Sequence, residues 1–146
     1  MIDYALPVYY KTLKQTEMSR LESVQYRAAK VVSGALHFTS KEKLYSELGW
    51  ETINERGNLL GLNFVHKIHF HETRPLVRNC MPMLNLQDNY EIRNKDVYVP
   101  FPHKGDKFKL SYFPNTTKLW NSIPTQIQLK PLDEFKIDIK KEIKPA

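Results

Sequence analysis

The stretch HKIHFH gathers three imidazoles, His66, His69 and His71, into six residues. Imidazole is a common zinc ligand, so this is the first place to look for a metal. On a helix His66 and His69 are neighbours, but His71 is swung away from both. A structural zinc takes four ligands. Of the other soft ligands, Cys80 and His103 stand in loop-type sequence. The spacing therefore predicts no metal, with His71 packed on the apolar face and His66 and His69 at the surface. Carboxylates give no site either. Asp133 and Glu134 open a helix, and Glu51 and Glu55 flank a capping box. A two-metal polymerase centre needs aspartates brought together, and the chain has no Asp-Asp pair. It has no Walker-type phosphate loop and no G-x-S-x-G elbow. No catalytic residue and no cofactor are expected.

Composition limits the partners. A chain of 146 residues fits one domain. Its net charge of +6 suits RNA, DNA or another anionic surface. Aromatic residues make up 12%, enough to argue against disorder. The single cysteine, Cys80, rules out a disulfide within the chain and points to a reducing compartment, cytoplasmic or nuclear. No apolar run is long enough for a membrane span. The opening MIDYALPVYYK has no basic segment before its apolar part and makes a poor signal peptide. It reads as a domain entered partway.

These side chains need elements to hold them. TEMSRLESVQYRAAKVVSGA has helical spacing, with Leu21, Val24, Ala28, Val31, Val32 and Ala35 on one face. Gly34 is its stop. Arg20, Arg27 and Lys30 run along one flank, as a solvated edge or a row of phosphate contacts. Thr39 with Glu42, then Thr52 with Glu55, match capping boxes. The second opens the longest helix, from 53 to about 71, with Ile53, Leu60, Phe64 and Ile68 in one stripe. Gly57 and Gly61 lie one turn apart there, at a cost of roughly 1 kcal/mol each against alanine. A close-packed neighbour is the simplest offset. Residues 74–95 read as loop. Residues 96–100 and 107–113 alternate like short strands around Gly105 and predict a two-stranded hairpin. PLDEFKIDIKKEIK predicts a terminal helix with Leu132, Phe135, Ile139 and Ile143 on one face. Its lysines suit the helix dipole.

The predicted fold is mainly α: a single domain of four to five helices with one small β-hairpin. SYFPNTTKLWNSIP, 111–124, reads as a clip. Pro114 favours an extended Phe113, Asn115 or Thr116 caps a short turn, and Trp120 enters the core until Pro124 ends the turn.

Four segments in order resemble one family, the reverse transcriptases of non-LTR, LINE-type, jockey-like retrotransposons. IDYALPVYY resembles the segment after the polymerase palm. LESVQYRAAKVVSGA resembles the family's Leu-Glu-x-Val-Gln-x-Arg-Ala-Ala helix, here Leu21, Glu22, Val24, Gln25, Arg27, Ala28 and Ala29. LYSELGWETINERG resembles its Glu-Leu-Gly-Trp turn, here Glu47, Leu48, Gly49 and Trp50. YFPNTTKLWNSIP resembles its closing motif, with Phe113, Pro114, Thr117, Trp120, Asn121 and Pro124 in place. The likeness covers nearly the whole chain and is weakest over 74–90. Two departures stand out: Tyr9 replaces a frequent tryptophan, and Arg56 is followed by Gly57 where the family often has two arginines.

The resemblance implies thumb-like helices over 1–73, a loop over 74–95, and a hairpin, Trp-containing turn and terminal helix over 96–146. Palm and catalytic aspartates are absent from this stretch, so no polymerase activity is expected from it alone, and a truncated copy or gene model is implied. The expected partners are RNA or an RNA/DNA duplex, and the rest of a polymerase if the chain is a fragment. Arg20, Arg27, Lys30 and Arg56 are the first candidate phosphate contacts, with Lys104, Lys107 and Lys109 second. Trp50, Phe113, Pro114, Trp120 and Pro124 are the structural anchors. Two other readings use the same residues: a helical protein-interaction or structural domain without nucleic acid, or a relic without selected function.

Overall fold

The structure is a computed structural model. It describes residues 3, 5–36, 38–81, 98–102 and 105–143, without the side chains of Asp106 and Lys107. The described residues form nine helical segments: α1 (Leu6–Tyr9), α2 (Gln15–Ser33), α3 (Lys41–Leu48), α4 (Ile53–His69), α5 (Pro75–Arg78), α6 (Asp106–Lys109), α7 (Tyr112–Asn121), α8 (Thr125–Gln128) and α9 (Leu132–Ile143). Five of these exceed one turn. No described residue lies in a β-strand, so the predicted hairpin is wrong. Its second arm, 107–113, is helical instead, split between α6 and α7. Pro114 stands third in α7, within the first turn, where the missing N–H has no partner to lose. Phe113 is therefore helical rather than extended, and Ser111, not Asn115 or Thr116, holds the N-cap position. Of its first arm, 98–100 form no strand, and 96–97 lie outside the described residues.

α4 is the central rod. The Thr52–Glu55 capping box starts it: Glu55 N–H donates to Thr52 Oγ1 at 3.2 Å, and Thr52 N–H to Glu55 Oε2 at 2.8 Å. Three apolar clusters surround the fold. The main one packs Leu62, Val65 and Ile68 of α4 against Trp120 and Ile123, and against Phe135 and Ile139 of α9. The predicted face of α9 thus points inward. A second cluster joins Leu6 and Tyr10 to Ile53. The third joins Ala29 to Leu44 and Tyr45, with Trp50 beside them.

The two α4 glycines mark close approaches. A Cβ on Gly57 would lie 2.7 Å from the Tyr10 ring, and one on Gly61 2.9 Å from Thr116 Cγ2. One glycine admits α1 and the other α7. The predicted stripe is only partly inward: Ile53 and Ile68 are buried, Leu60 is half-buried, and Phe64 is exposed.

α2 is turned differently from its apolar pattern. Gln25 and Ala29 are buried, while Val24, Val31 and Val32 face solvent. Polar pairing decides the rotation. The Glu22 carboxylate accepts from the first amide of α4, Ile53 N–H, at 2.6 Å, and from Tyr45 Oη at 3.2 Å. Gln25 Nε2 donates to Glu51 O at 2.7 Å. Helix stops at Gly34 and Gly49 hold as predicted, both with positive φ. α3 is capped by Ser40, one residue after the predicted Thr39.

Four tyrosines report on this packing. Burial pushes the Tyr10 and Tyr98 hydroxyls up to about 12 from an ordinary 10.0. Burial also raises Tyr45, helped by the Glu22 carboxylate, and Tyr112, helped by Tyr10. The folded state favours the neutral phenol, so the unfolded chain ionises first as pH rises. Their contribution is intact below pH 10 and is lost as pH climbs from about 10 to 12. Urea midpoints measured across that window should fall steadily. A midpoint unchanged through the window contradicts the burial of these rings.

Candidate nucleic-acid interface

The four segments singled out in the sequence, 2–10, 21–35, 44–57 and 112–124, touch one another. Tyr10, from the first, lies over Gly57 in the third. Its hydroxyl donates to Asn58 Oδ1 and accepts from Asn115 Nδ2, in the fourth, at 3.0 Å. Glu22 and Gln25, from the second, clamp the Glu51–Ile53 turn of the third. The motif residues are thus occupied in holding α1, α2, α4 and α7 together. Lys140 of α9 adds an ion pair to Glu51 in the same turn.

Trp120 fills the middle of the main core with no exposed area. Phe135, His69 and His66 surround its ring, at centroid distances of 5.7, 5.3 and 6.2 Å. Gln128 Nε2 donates to Trp120 O at 2.7 Å and ties α8 to α7. Of the other anchors, Trp50 is half-buried against Tyr45 and Phe113 is half-buried at the edge of the main core. Pro124 is exposed and occupies the N-cap position of α8.

His66 and His71 exchange their predicted settings, and His69, expected at the surface, is half-buried. His66 is buried, with Nε2 2.8 Å from Lys130 O. A carbonyl only accepts, so Nε2 carries the proton and Nδ1 has none in the neutral ring. His69 Nδ1 lies 3.1 Å from Tyr98 Oη. His71 is exposed, with φ of 60° just beyond the helix end. The chain's left-handed exit turns His71 outward, and α9 with the α8–α9 turn covers His66.

The predicted cations that are described stand on three helices, α2, α4 and α6. Arg20 and Arg27 are exposed on the outer side of α2, two turns apart, beside Val24 and Val31. Lys30 stands over the Tyr26 ring at 4.3 Å. Arg56 pairs with Asp3 at 3.1 Å, which partly neutralises it. Lys109 lies at the end of α6. Lys104 lies outside the described residues, as does the Lys107 side chain.

A residue the sequence reading passed over completes a different grouping. Pro114, Thr117, Lys118 and Asn121 follow i, i+3, i+4, i+7 spacing along α7 and line one cavity, with Lys109 across from them. The spacing is visible in the sequence once the segment is taken as helix from Tyr112. Asn121 has a further role there. Its Nδ2 donates to Tyr98 O at 2.8 Å, and its Oδ1 accepts from Tyr98 N–H at 3.1 Å. One side-chain amide therefore holds an extended backbone as a neighbouring strand would.

Among the described residues, no helix is long and apolar enough to cross a membrane. No protein-family model matches the chain, and no curated protein or solved structure matches it.

Proposed function

We propose that the chain is the post-palm, thumb and tail part of a non-LTR retrotransposon reverse transcriptase, contacting RNA or a template–primer duplex without sequence preference. One observation carries this reading. Four separated segments resemble that family in its order, and their residues bond directly to one another through Tyr10, Asn115, Glu22 and Gln25. Exposed Arg20 and Arg27 on α2 and Lys109 beside α7 supply phosphate-binding charge on a chain of net +6. Phosphate contact releases counterions, so affinity should drop steeply with salt. Titration of single-stranded and duplex RNA at low and moderate salt tests this. Micromolar binding that weakens with salt is expected, and absence of binding at low salt removes the nucleic-acid role.

A protein-contact role is the second reading. It is favoured by the outer side of α2 and the turn after it, where Val31 is 83%, Leu36 81% and Phe38 96% exposed. Apolar surface gathered in this way marks contact sites. It would serve a fragment that packs on the rest of a polymerase, and equally a free-standing interaction domain.

A further inference from the structure

The outer side of α2 carries a straight seam of exposed side chains, Arg20, Val24, Arg27 and Val31. Steps of four, three and four residues keep them on one line along the helix axis, for roughly 16 Å. Val24 is 53% and Val31 83% exposed, and Val32 and Leu36 widen the apolar part toward the end of the helix. The valines face water because Glu22 and Gln25 hold the opposite side of α2 on the Glu51–Ile53 turn. The arginines are open as well, and neither forms an ion pair among the described residues. The two carboxylates of α2 are committed elsewhere. Glu17 Oε2 accepts from Lys14 N–H at 2.8 Å, and Glu22 accepts from Ile53 N–H and pairs with Lys41.

Alternation of this kind selects its occupant. Contacts at every third or fourth residue are the contact line of two helices packed side by side. Each valine calls for an aliphatic residue opposite it, and each arginine for a carboxylate. Arg20 and Arg27 stand one heptad apart, so the carboxylates that meet them lie roughly 10 Å apart on a partner helix. Other occupants match the seam less well. A helix lying in a bilayer surface keeps its cations on the polar face, whereas these arginines lie between the valines. Nucleic acid binds through its phosphates, to which valine offers nothing. A second copy would set arginine against arginine, and a net charge of +6 against another.

We propose that α2 docks an acidic amphipathic helix of a protein partner, with carboxylates on Arg20 and Arg27 and aliphatic side chains on Val24 and Val31. The proposal rests on the protein-contact reading above and gives that contact its chemistry. The same arginines are offered to phosphate in the nucleic-acid reading, so an acidic helix and RNA exclude each other on α2.

The probe is a fluorescent helical peptide of about three heptads, with Leu at one seam position and Glu at the other. Its controls are a scrambled peptide of the same composition and seam peptides with Gln or Lys in place of Glu. Anisotropy titrations on the full chain should show the Glu seam peptide binding at least tenfold tighter than the scrambled one, by a rough estimate, and weakening with salt. Arg20→Glu/Arg27→Glu alters only exposed positions. It should lower that affinity by about tenfold or more, and the Lys seam peptide should restore it. Val24→Ser/Val31→Ser should also weaken the Glu peptide, with its salt dependence unchanged. Equal binding of seam and scrambled peptides means general charge and overturns the proposal, as does a loss that the Lys peptide does not restore. Equal binding of the Gln and Glu seam peptides overturns the acidic partner, while the protein-contact reading survives. Self-association abolished by the valine variant, or binding of phosphatidylserine vesicles without response to the peptide, overturns it in favour of those occupants. A wild-type chain that binds no peptide overturns both the proposal and the protein-contact reading.

Discussion

Trp120→Ala should destabilise the fold by ~3–5 kcal/mol, the usual loss for truncating a buried large aromatic. Trp120 is expected at the upper part of that range because its neighbours cannot collapse inward. Phe135 is held by α9, and His66 is tied to Lys130 O. Gln128 also leans on the Trp120 carbonyl, so a shift in α7 loosens α8. For a chain of this size the melting temperature should fall by roughly 6–20 °C. A shift of one or two degrees overturns the anchor role. Trp120→Phe is a useful companion. The indole N–H has no partner among the described residues, and such a group costs about 1–3 kcal/mol. Phenylalanine removes that cost along with some contact, so its penalty should be well below that of alanine.

Gly57→Ala should also destabilise, although alanine is the better helix former. Propensity alone favours the change by roughly 1 kcal/mol. Against that, the new Cβ would stand 2.7 Å from both Cγ and Cδ2 of Tyr10. Cγ is near the Tyr10 backbone, so relief requires moving α1 and breaking the hydrogen bonds to Asn58 and Asn115. Overpacking of this kind typically costs about 1–3 kcal/mol, more when backbone must shift. Tyr10→Ala should cost ~3–5 kcal/mol by itself. In that background the obstruction is gone, and Gly57→Ala should become neutral or stabilising by up to about 1 kcal/mol. Denaturation of the four proteins in the cycle checks this. Additive losses would mean that Tyr10 does not sit on Gly57.

Features set by local chemistry were readable in the sequence. The Thr52–Glu55 box, the stops at Gly34 and Gly49, and the inward face of α9 depend on residues within a turn or two. The glycine pair in α4 announced a close neighbour without naming it. What failed depended on distant partners. The inward side of α2 is chosen by Gln25 and Glu22 reaching residues 26 and 31 positions away, so counting apolar residues gave the wrong face. His66 is buried because Lys130, 64 positions on, offers a carbonyl. The hairpin error had a local cause. Alternation over 107–113 is too short to separate strand from helix, and the extended Phe113 expected before Pro114 is not required when the proline lies in a first turn. The same error hid part of the candidate site: Lys109 was picked out, but Lys118 becomes its partner only if α7 starts at Tyr112.

The Asn115–Tyr10 hydrogen bond joins residues 105 positions apart, and Tyr10–Asn58 spans 48. Contacts so distant in the chain form late, because closing the loop between them comes before any gain. During synthesis, α4 is made well before the helices that cover it. At ribosomal rates α7 and α9 follow on the order of seconds later. For that interval Leu62, Val65 and Ile68 have no Trp120 or Phe135 to pack against. The nascent chain should therefore be bound by chaperones that hold apolar segments, and released when α7 arrives and Asn115 reaches the Tyr10 hydroxyl.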